Sequence, residues 1–218
     1  SSSLSEFTDI SDSPQNCFFM YNNGIAHEYC LLSDERFNTP PTVNGVTMYL
    51  DDEEDYKHYQ CTVEACILLG QWLDFLRENN AYDNTKIIIV ADHGYGLNNF
   101  DELLVPSLNF DAEWVNPVLM VKDFNQSGFT ISHDFMTNAD TPYLAVNNVI
   151  ENPVNPYTNN SITVNNKTED QIVYISHKHN TLTNNGTQFK DRDGYWLTVN
   201  YDIYDSENWK AYDGEPET

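Results

Sequence analysis

One stretch constrains the fold more than any other: residues 86–91, KIIIVA, running directly into Asp92, His93 and Gly94. Ile87, Ile88, Ile89 and Val90 are β-branched, which disfavours helix and suits an extended chain. Successive strand side chains point to opposite faces, so an all-apolar run is expected to be covered on both, as in a central parallel strand. The segment before it reads as a helix over 56–79, in which Val63, Cys66, Leu69, Leu73 and Leu76 keep a helical spacing. The acidic run DDEED (51–55) suits the first turn of that helix, where carboxylates meet the positive end of the dipole. Arg77 and Asn79-Asn80 suit its end. A long helix, the short turn NNAYDNT and a buried strand make the second half of a βαβ unit. Its first strand would be CFFMY, residues 17–21.

Downstream, YGLNNFDELLVPSLNFDAEW reads as a variable loop and NPVLMVKD as a strand. NADTPYLAVNNVI reads as a helix capped by Asn138 or Asp140, with Pro142 in its first turn. QIVYISH is expected to be a strand, and GYWLTVN and YDIYDSENW a final antiparallel β pair rich in Tyr and Trp. The order is β-α-β, β-α-β, then an antiparallel end: an α/β class with no internal repeat and no boundary between domains. Residues 1–15 read as a linker or a truncated start, and 16–218 as one domain or part of one.

Charge removes several function classes. Thirty-four Asp and Glu face ten Lys and Arg, a net charge of −24. Such a surface repels phosphate backbones, and it offers no basic patch to anionic lipid. Nucleic acid is therefore not an expected partner. No apolar run of 18 residues is present to span a bilayer. The opening SSSLSEFTDISDSPQ lacks the basic and apolar regions of a signal peptide. Cys17, Cys30, Cys61 and Cys66 form no C-x-x-C pair. Cys61 and Cys66 read as small buried thiols of the helix, while a Cys17–Cys30 bridge stays open on spacing alone.

In an open α/β sheet, ligands gather outside the carboxyl ends of the strands. Asp92 and His93 occupy such an end. A carboxylate oxygen and an imidazole nitrogen together suit a divalent ion, while Gly94 leaves no side chain in the way and Gly96 allows a sharp turn. The same pair also reads as a polar strand end with His93 hydrogen-bonded to a neighbouring loop. His177 and His179, in YISHKHN, follow a strand and are further candidates for the same sheet edge; His27 reads as a surface or turn histidine, and His58 and His133 as solvated.

The segment AYDNTKIIIVADHG closely resembles the metal-strand signature of the sulfatase and alkaline-phosphatase superfamily, in which a long helix precedes a strand ending in Asp-His-Gly. CFFMYNNGIAHEYCLL is similar to the family segment bearing a substrate-site His. NPVLMVKDFNQSGFTISHDFMTNADTPYLA is similar to the strand and helix that follow. The likeness covers about residues 16–150 and is nearest to the lipoteichoic-acid-synthase-like branch of membrane-anchored phosphotransferases.

The resemblance implies an alkaline-phosphatase-like three-layer sandwich with a mostly parallel central sheet. It implies Asp92 and His93 as ligands of a divalent metal (Mn, Zn, Mg or Ca), and His27 at the anionic group of a phosphate or sulfate ester. His177 is a possible additional ligand. The family carries Pro two residues after its substrate His, where this chain has Tyr29. The family nucleophile, a Thr or Ser at a helix start, and its acidic metal ligand match no segment of these 218 residues. The resemblance thus implies the C-terminal part of a catalytic domain acting in the cell envelope. The missing N-terminal part would be its partner, and membrane anchoring upstream segments would hold it at the extracytoplasmic face. Alone, the chain is expected to be inactive. The alternative is a non-catalytic module that uses Tyr195, Trp196, Tyr201, Tyr204 and Trp209 to stack on glycan or a partner.

Overall fold

Helix α1 (Glu53–Glu78) forms where the periodicity places it, with Glu53, Glu54 and Asp55 in its first turn. The computed structural model describes residues 4–13, 16–27, 29–32, 42–43, 45–47, 53–97, 100–164, 167–175 and 195–213. These gather into two compact units: Ser1–Thr85 with Asp123–Gln126, and Lys86–Lys122 with Ser127–Thr218.

In the first unit, Lys57 reaches back one turn to Glu53 at 2.6 Å, the favourable order of charges along a helix. The helix stops at Asn80, which adopts φ 57°. The Ala81 N–H bonds the Leu76 carbonyl at 2.8 Å and the Asn80 N–H bonds Arg77 at 3.1 Å. This is a Schellman stop with asparagine in the left-handed position. At the other side of the helix, the Trp72 indole donates to Thr8 Oγ1 at 3.0 Å and ties down the 3-10 turn Leu4–Phe7. Strands β1 (Thr42–Val43) and β2 (Val46–Thr47) make a minimal hairpin.

Two expectations for this unit fail. Cys66 is exposed, and only Cys61 of the helical pair is buried. Residues 17–21 form no strand: Phe18, Phe19 and Met20 are 82%, 79% and 84% exposed. An apolar run becomes a strand only when another strand satisfies its backbone, and no described residue pairs with this one. The βαβ unit therefore does not form among the described residues.

The second unit holds β3 (Ile87–Val90), β4 (Leu104–Val105), β5 (Phe110–Asp111) and β6 (Leu119–Lys122), then helix α2 (Thr141–Val146). Strands β7 (Gln171–Ile175), β8 (Tyr195–Val199) and β9 (Lys210–Tyr212) follow. Helix and strand are mixed as expected, but every described pairing is antiparallel. That includes β3, which pairs with β6, Ile88 opposite Val121 and Ile89 opposite Met120. The expectation of a parallel neighbour rested on apolarity. Apolarity reports how much cover a strand needs, not the direction of its neighbour. The chain returns from β3 to β6 through 3-10 turns and a short hairpin rather than a crossover helix, and such a return favours an antiparallel partner.

The stretch expected to be a loop carries much of the core. Leu103, Val105, Phe110 and Ala112 pack with Ile175, Leu197, Val199 and Trp209. A tight turn, Pro106–Leu108 closed by Asn109 at φ 48°, folds β4 onto β5 and aims these side chains inward. Burying each of the larger aliphatic side chains is worth about 1.5–3 kcal/mol. The terminal sheet is three-stranded, β7-β8-β9, rather than a pair. The expected strand YDIYDSENW is a turn. Asp202 and Asp205 each accept an N–H two residues on, at 3.0 Å, and so compete with any ladder.

Helix α2 runs beside β3 and is fixed at both ends. Asp140, one of the two expected caps, holds the N-cap position of α2; the 3-10 turn before it, Asn138–Asp140, has Thr137 at its own N-cap, and the Thr137 N–H returns to Asp140 Oδ2 at 2.7 Å. Lys167 Nζ lies 2.5 Å from the same oxygen, and both residues are buried. At the far end, Lys86 Nζ donates to the Asn147 carbonyl at 2.6 Å, a cation at a helix C-terminus. No described helix is long and apolar enough to cross a membrane.

Candidate functional site

Beyond Val90 the chain leaves the β3–β6 pair with one more bond, Ala91 N–H to the Val118 carbonyl at 3.1 Å, and turns at Asp92. Asp92 Oδ1 accepts the His93 N–H at 3.1 Å. His93 Nδ1 lies 2.6 Å from the Gly94 carbonyl. A carbonyl can only accept, so Nδ1 carries the proton and a neutral ring keeps its lone pair on Nε2. This is the tautomer of a metal-binding imidazole oriented by a backbone oxygen. Nε2 stands 3.9 Å from Asp92 Oδ2, with the two side chains 55% and 91% exposed. Two ligands about 2.0–2.1 Å from a tetrahedral ion lie about 3.4 Å apart. Closing the pair onto one ion thus takes roughly half an ångström of side-chain rotation.

The turn is held from beneath. Gly94 N–H bonds the Trp114 carbonyl at 3.0 Å. A Cβ on Gly94 would lie 1.8 Å from the Glu113 carbonyl oxygen, so the position admits only glycine without moving backbone. A Cβ on Gly96 would meet Trp114 Nε1 at 2.2 Å. Gly96 serves close packing, and among the described residues the left-handed glycines are Gly45 and Gly128. The buried Glu113 carboxylate accepts two backbone N–H groups, Leu97 and Phe100, each at 2.9 Å. From the side, the Asn138 amide donates to the carbonyls of Ala91 (3.1 Å) and Asp92 (2.8 Å). Asn138 therefore clamps the turn instead of capping the helix. Glu113 and Asn138 escape a reading of the sequence because what they hold is distant backbone, which has no residue signature. The motif DAE, in which Asp111 accepts the Glu113 N–H at 2.9 Å, is the one local hint.

His27 belongs to the first unit, exposed in a turn whose N–H bonds the Gly24 carbonyl at 3.1 Å. His177 and His179 lie outside the described residues. Among the described residues no group of three or more His, Cys, Asp and Glu is arranged to hold a metal ion, so Asp92 and His93 stand as a two-donor pair. His133 is exposed as expected. His58 is half-buried rather than fully solvated: its ring lies 3.8 Å from Tyr29, and burial pushes its pKa down against the pull of Glu54 and Asp55.

Of the tail aromatics, Trp209 is buried against Phe110 and donates to the Ile203 carbonyl at 2.9 Å, and Trp196 stacks on Tyr174 at 4.5 Å. Tyr201 and Tyr204 are exposed. An open groove of about 450 Å³ runs beside the site turn, walled by Asn109, Phe110, Asp111, Trp114 and Tyr195 among others. Comparison with protein-family models, with curated proteins and with solved structures finds no match to this chain.

Proposed function

We propose that this chain carries the metal-strand portion of an extracytoplasmic, metal-dependent phosphotransferase or hydrolase of the sulfatase and alkaline-phosphatase type, acting on phosphate or sulfate esters of the cell envelope. The observation that carries the reading is the Asp92–His93 turn. It lies directly beyond an apolar strand, with one carboxylate oxygen and the ring nitrogen Nε2 3.9 Å apart and both side chains open to solvent. Bound there, a divalent ion (Mn, Zn, Mg or Ca) would act as a Lewis acid on the ester and lower the pKa of an attacking hydroxyl. Asp92 and His93 would hold the ion, and Asn138 and Glu113 hold the turn. The hydroxyl nucleophile and an acidic ligand come from the N-terminal part of the same domain, and upstream segments tether it to the membrane. The three-layer architecture belongs to the same proposal. A mostly parallel sheet admits an antiparallel strand, and β6 beside β3 would be that strand.

The test is differential, because a chain of net charge −24 attracts cations diffusely. Mn²⁺ is titrated into the chain at 0.15 M salt by calorimetry, beside Asp92→Ala, His93→Gln and Asp101→Ala, an exposed carboxylate away from the turn. One weak site is expected, lost in the first two variants and kept in the third. Equal affinity in all four overturns the assignment. The chain alone should not hydrolyse a generic phosphodiester, and robust metal-dependent turnover would overturn the division of catalytic groups.

A second reading, a glycan-binding module, is favoured by the groove beside Trp114 and Tyr195, since aromatic faces and a carboxylate suit sugar rings. Quenching of tryptophan fluorescence by neutral oligosaccharide, abolished in Trp114→Ala and untouched by Asp92→Ala, would select it.

A further inference from the structure

Of the four cysteines only Cys61 is buried, at 1% exposure, and its sulfur is seated on another cysteine. The Cys30 N–H points at Cys61 Sγ at 3.3 Å, and the Cys61 thiol lies 3.4 Å from the Cys30 carbonyl oxygen. The contact is one of a series. Tyr29 Oη donates to Glu54 at 3.1 Å, the Tyr29 ring stacks on His58, and the Leu32 N–H bonds Gln60 at 2.8 Å. Glu54, His58 and Cys61 follow one another at spacings of four and three, so the segment 29–32 lies along one face of α1. A sulfur in contact with both backbone polar atoms of Cys30 sets the two residues side by side, and a disulfide needs Cα atoms about 4.4–6.8 Å apart.

We propose that Cys30 and Cys61 are a disulfide site, closed by exchange with a small-molecule disulfide, and that the bond fastens the segment after His27 to α1. The exposed Cys30 thiolate attacks the external disulfide, forms a mixed disulfide and expels one thiolate. The Cys61 thiolate then attacks the Cys30 sulfur, forms the internal bond and expels the second. The two protons lost by the cysteines go to the two thiolates released, so the external disulfide is reduced to two thiols as the protein is oxidised. Burial pushes the Cys61 thiol up, the Cys30 N–H works the other way, and the Cys30 thiol beside it adds to the rise. A sulfur of raised pKa is a poor leaving group, so the closed bond resists reduction. Cys17, on the exposed stretch upstream, is the competing partner.

The experiment treats the full 218-residue chain with oxidised glutathione at pH 8, alkylates the remaining thiols and maps the peptides without reduction. The expected product links Cys30 to Cys61 and leaves no protein–protein link at Cys17 or Cys66. A Cys17–Cys30 link, or glutathione retained on Cys30 of the unmutated chain, overturns the proposal. Cys61→Ser should stop at one glutathione on Cys30, and Cys66→Ser should close as the unmutated chain does. If Cys61→Ser does not fold, Cys30→Ser supplies the mirror result, a Cys61 that takes up no glutathione; a Cys61 that does take it up counts against the site. The bond closes a span of 31 residues, so the oxidised chain should melt about 5 °C or more above the reduced one. An unchanged Tm overturns the fastening role.

Discussion

Two sheets of the second unit reverse what their sequences suggest. Strand β3 is the most apolar run of the chain, yet its pair with β6 is half covered: Val90, Met120 and Val121 are exposed. The β7-β8-β9 sheet looks like a polar, aromatic tail, yet Ile175, Leu197, Val199 and Trp209 complete the core from it. The difference lies in what each sheet faces. The terminal sheet meets the 103–112 stretch, whose tight turn presents four apolar side chains together. Beside β3 lies α2, only six residues long. Apolar content says that a strand seeks cover; the shape of what is opposite decides whether it finds it.

The sharpest test falls on the ion pair that joins these regions, since Lys167 precedes β7 and Asp140 leads α2 beside β3. Lys167→Met strands a buried carboxylate and should cost about 3–5 kcal/mol in urea unfolding. A loss below about 1 kcal/mol would mean that the two sheets are stabilised independently of it.

Next, Leu197→Ala, at a site 2% exposed, should cost about 2–5 kcal/mol. Val90→Ala, at a site 40% exposed, should cost less than about 1 kcal/mol. Equal losses would erase the contrast between the sheets.

A smaller effect is expected beneath the site turn. Glu113→Ala leaves the Leu97 and Phe100 N–H groups without their carboxylate and should cost about 1–3 kcal/mol. It should shift the His93 ring resonances in NMR more than those of Trp209. The reverse order would detach Glu113 from the turn.

The smallest effect is a pH dependence in the first unit. Burial lowers the folded-state pKa of His58 below its usual value of about 6.5. The unfolded chain therefore binds the proton more readily. The stability associated with a neutral His58 is full above about pH 6.5, falls as the pH drops below it, and levels off beneath the folded-state pKa. Thermal melts from pH 7.5 to 5 should show this slope, and His58→Phe should flatten it.

Legibility in the sequence follows the range of the interactions. Helix α1 is readable because its signals are local: acids at the start, an Arg and an Asn pair at the end, periodicity between. The Asp92–His93 pair is readable because it adjoins a strand and is itself contiguous. Residues 17–21 mislead because a strand's existence depends on a partner elsewhere. The 101–115 stretch misleads because its strands are two residues long and interrupted by 3-10 turns, so neither period develops. Glu113 acts on backbone 16 residues away and Asn138 on backbone 46 residues away, distances at which spacing carries no information.

Gly94 has a consequence for variation. A single methyl group there would collide with main chain, whereas Asp92 and His93 project into open water and touch little. In a mutant library screened only for folded protein, position 94 should stay glycine while 92 and 93 drift freely. In a library screened for metal capture, all three should be retained. Constancy of the glycine alone would then record close packing, and constancy of its two neighbours would record chemistry.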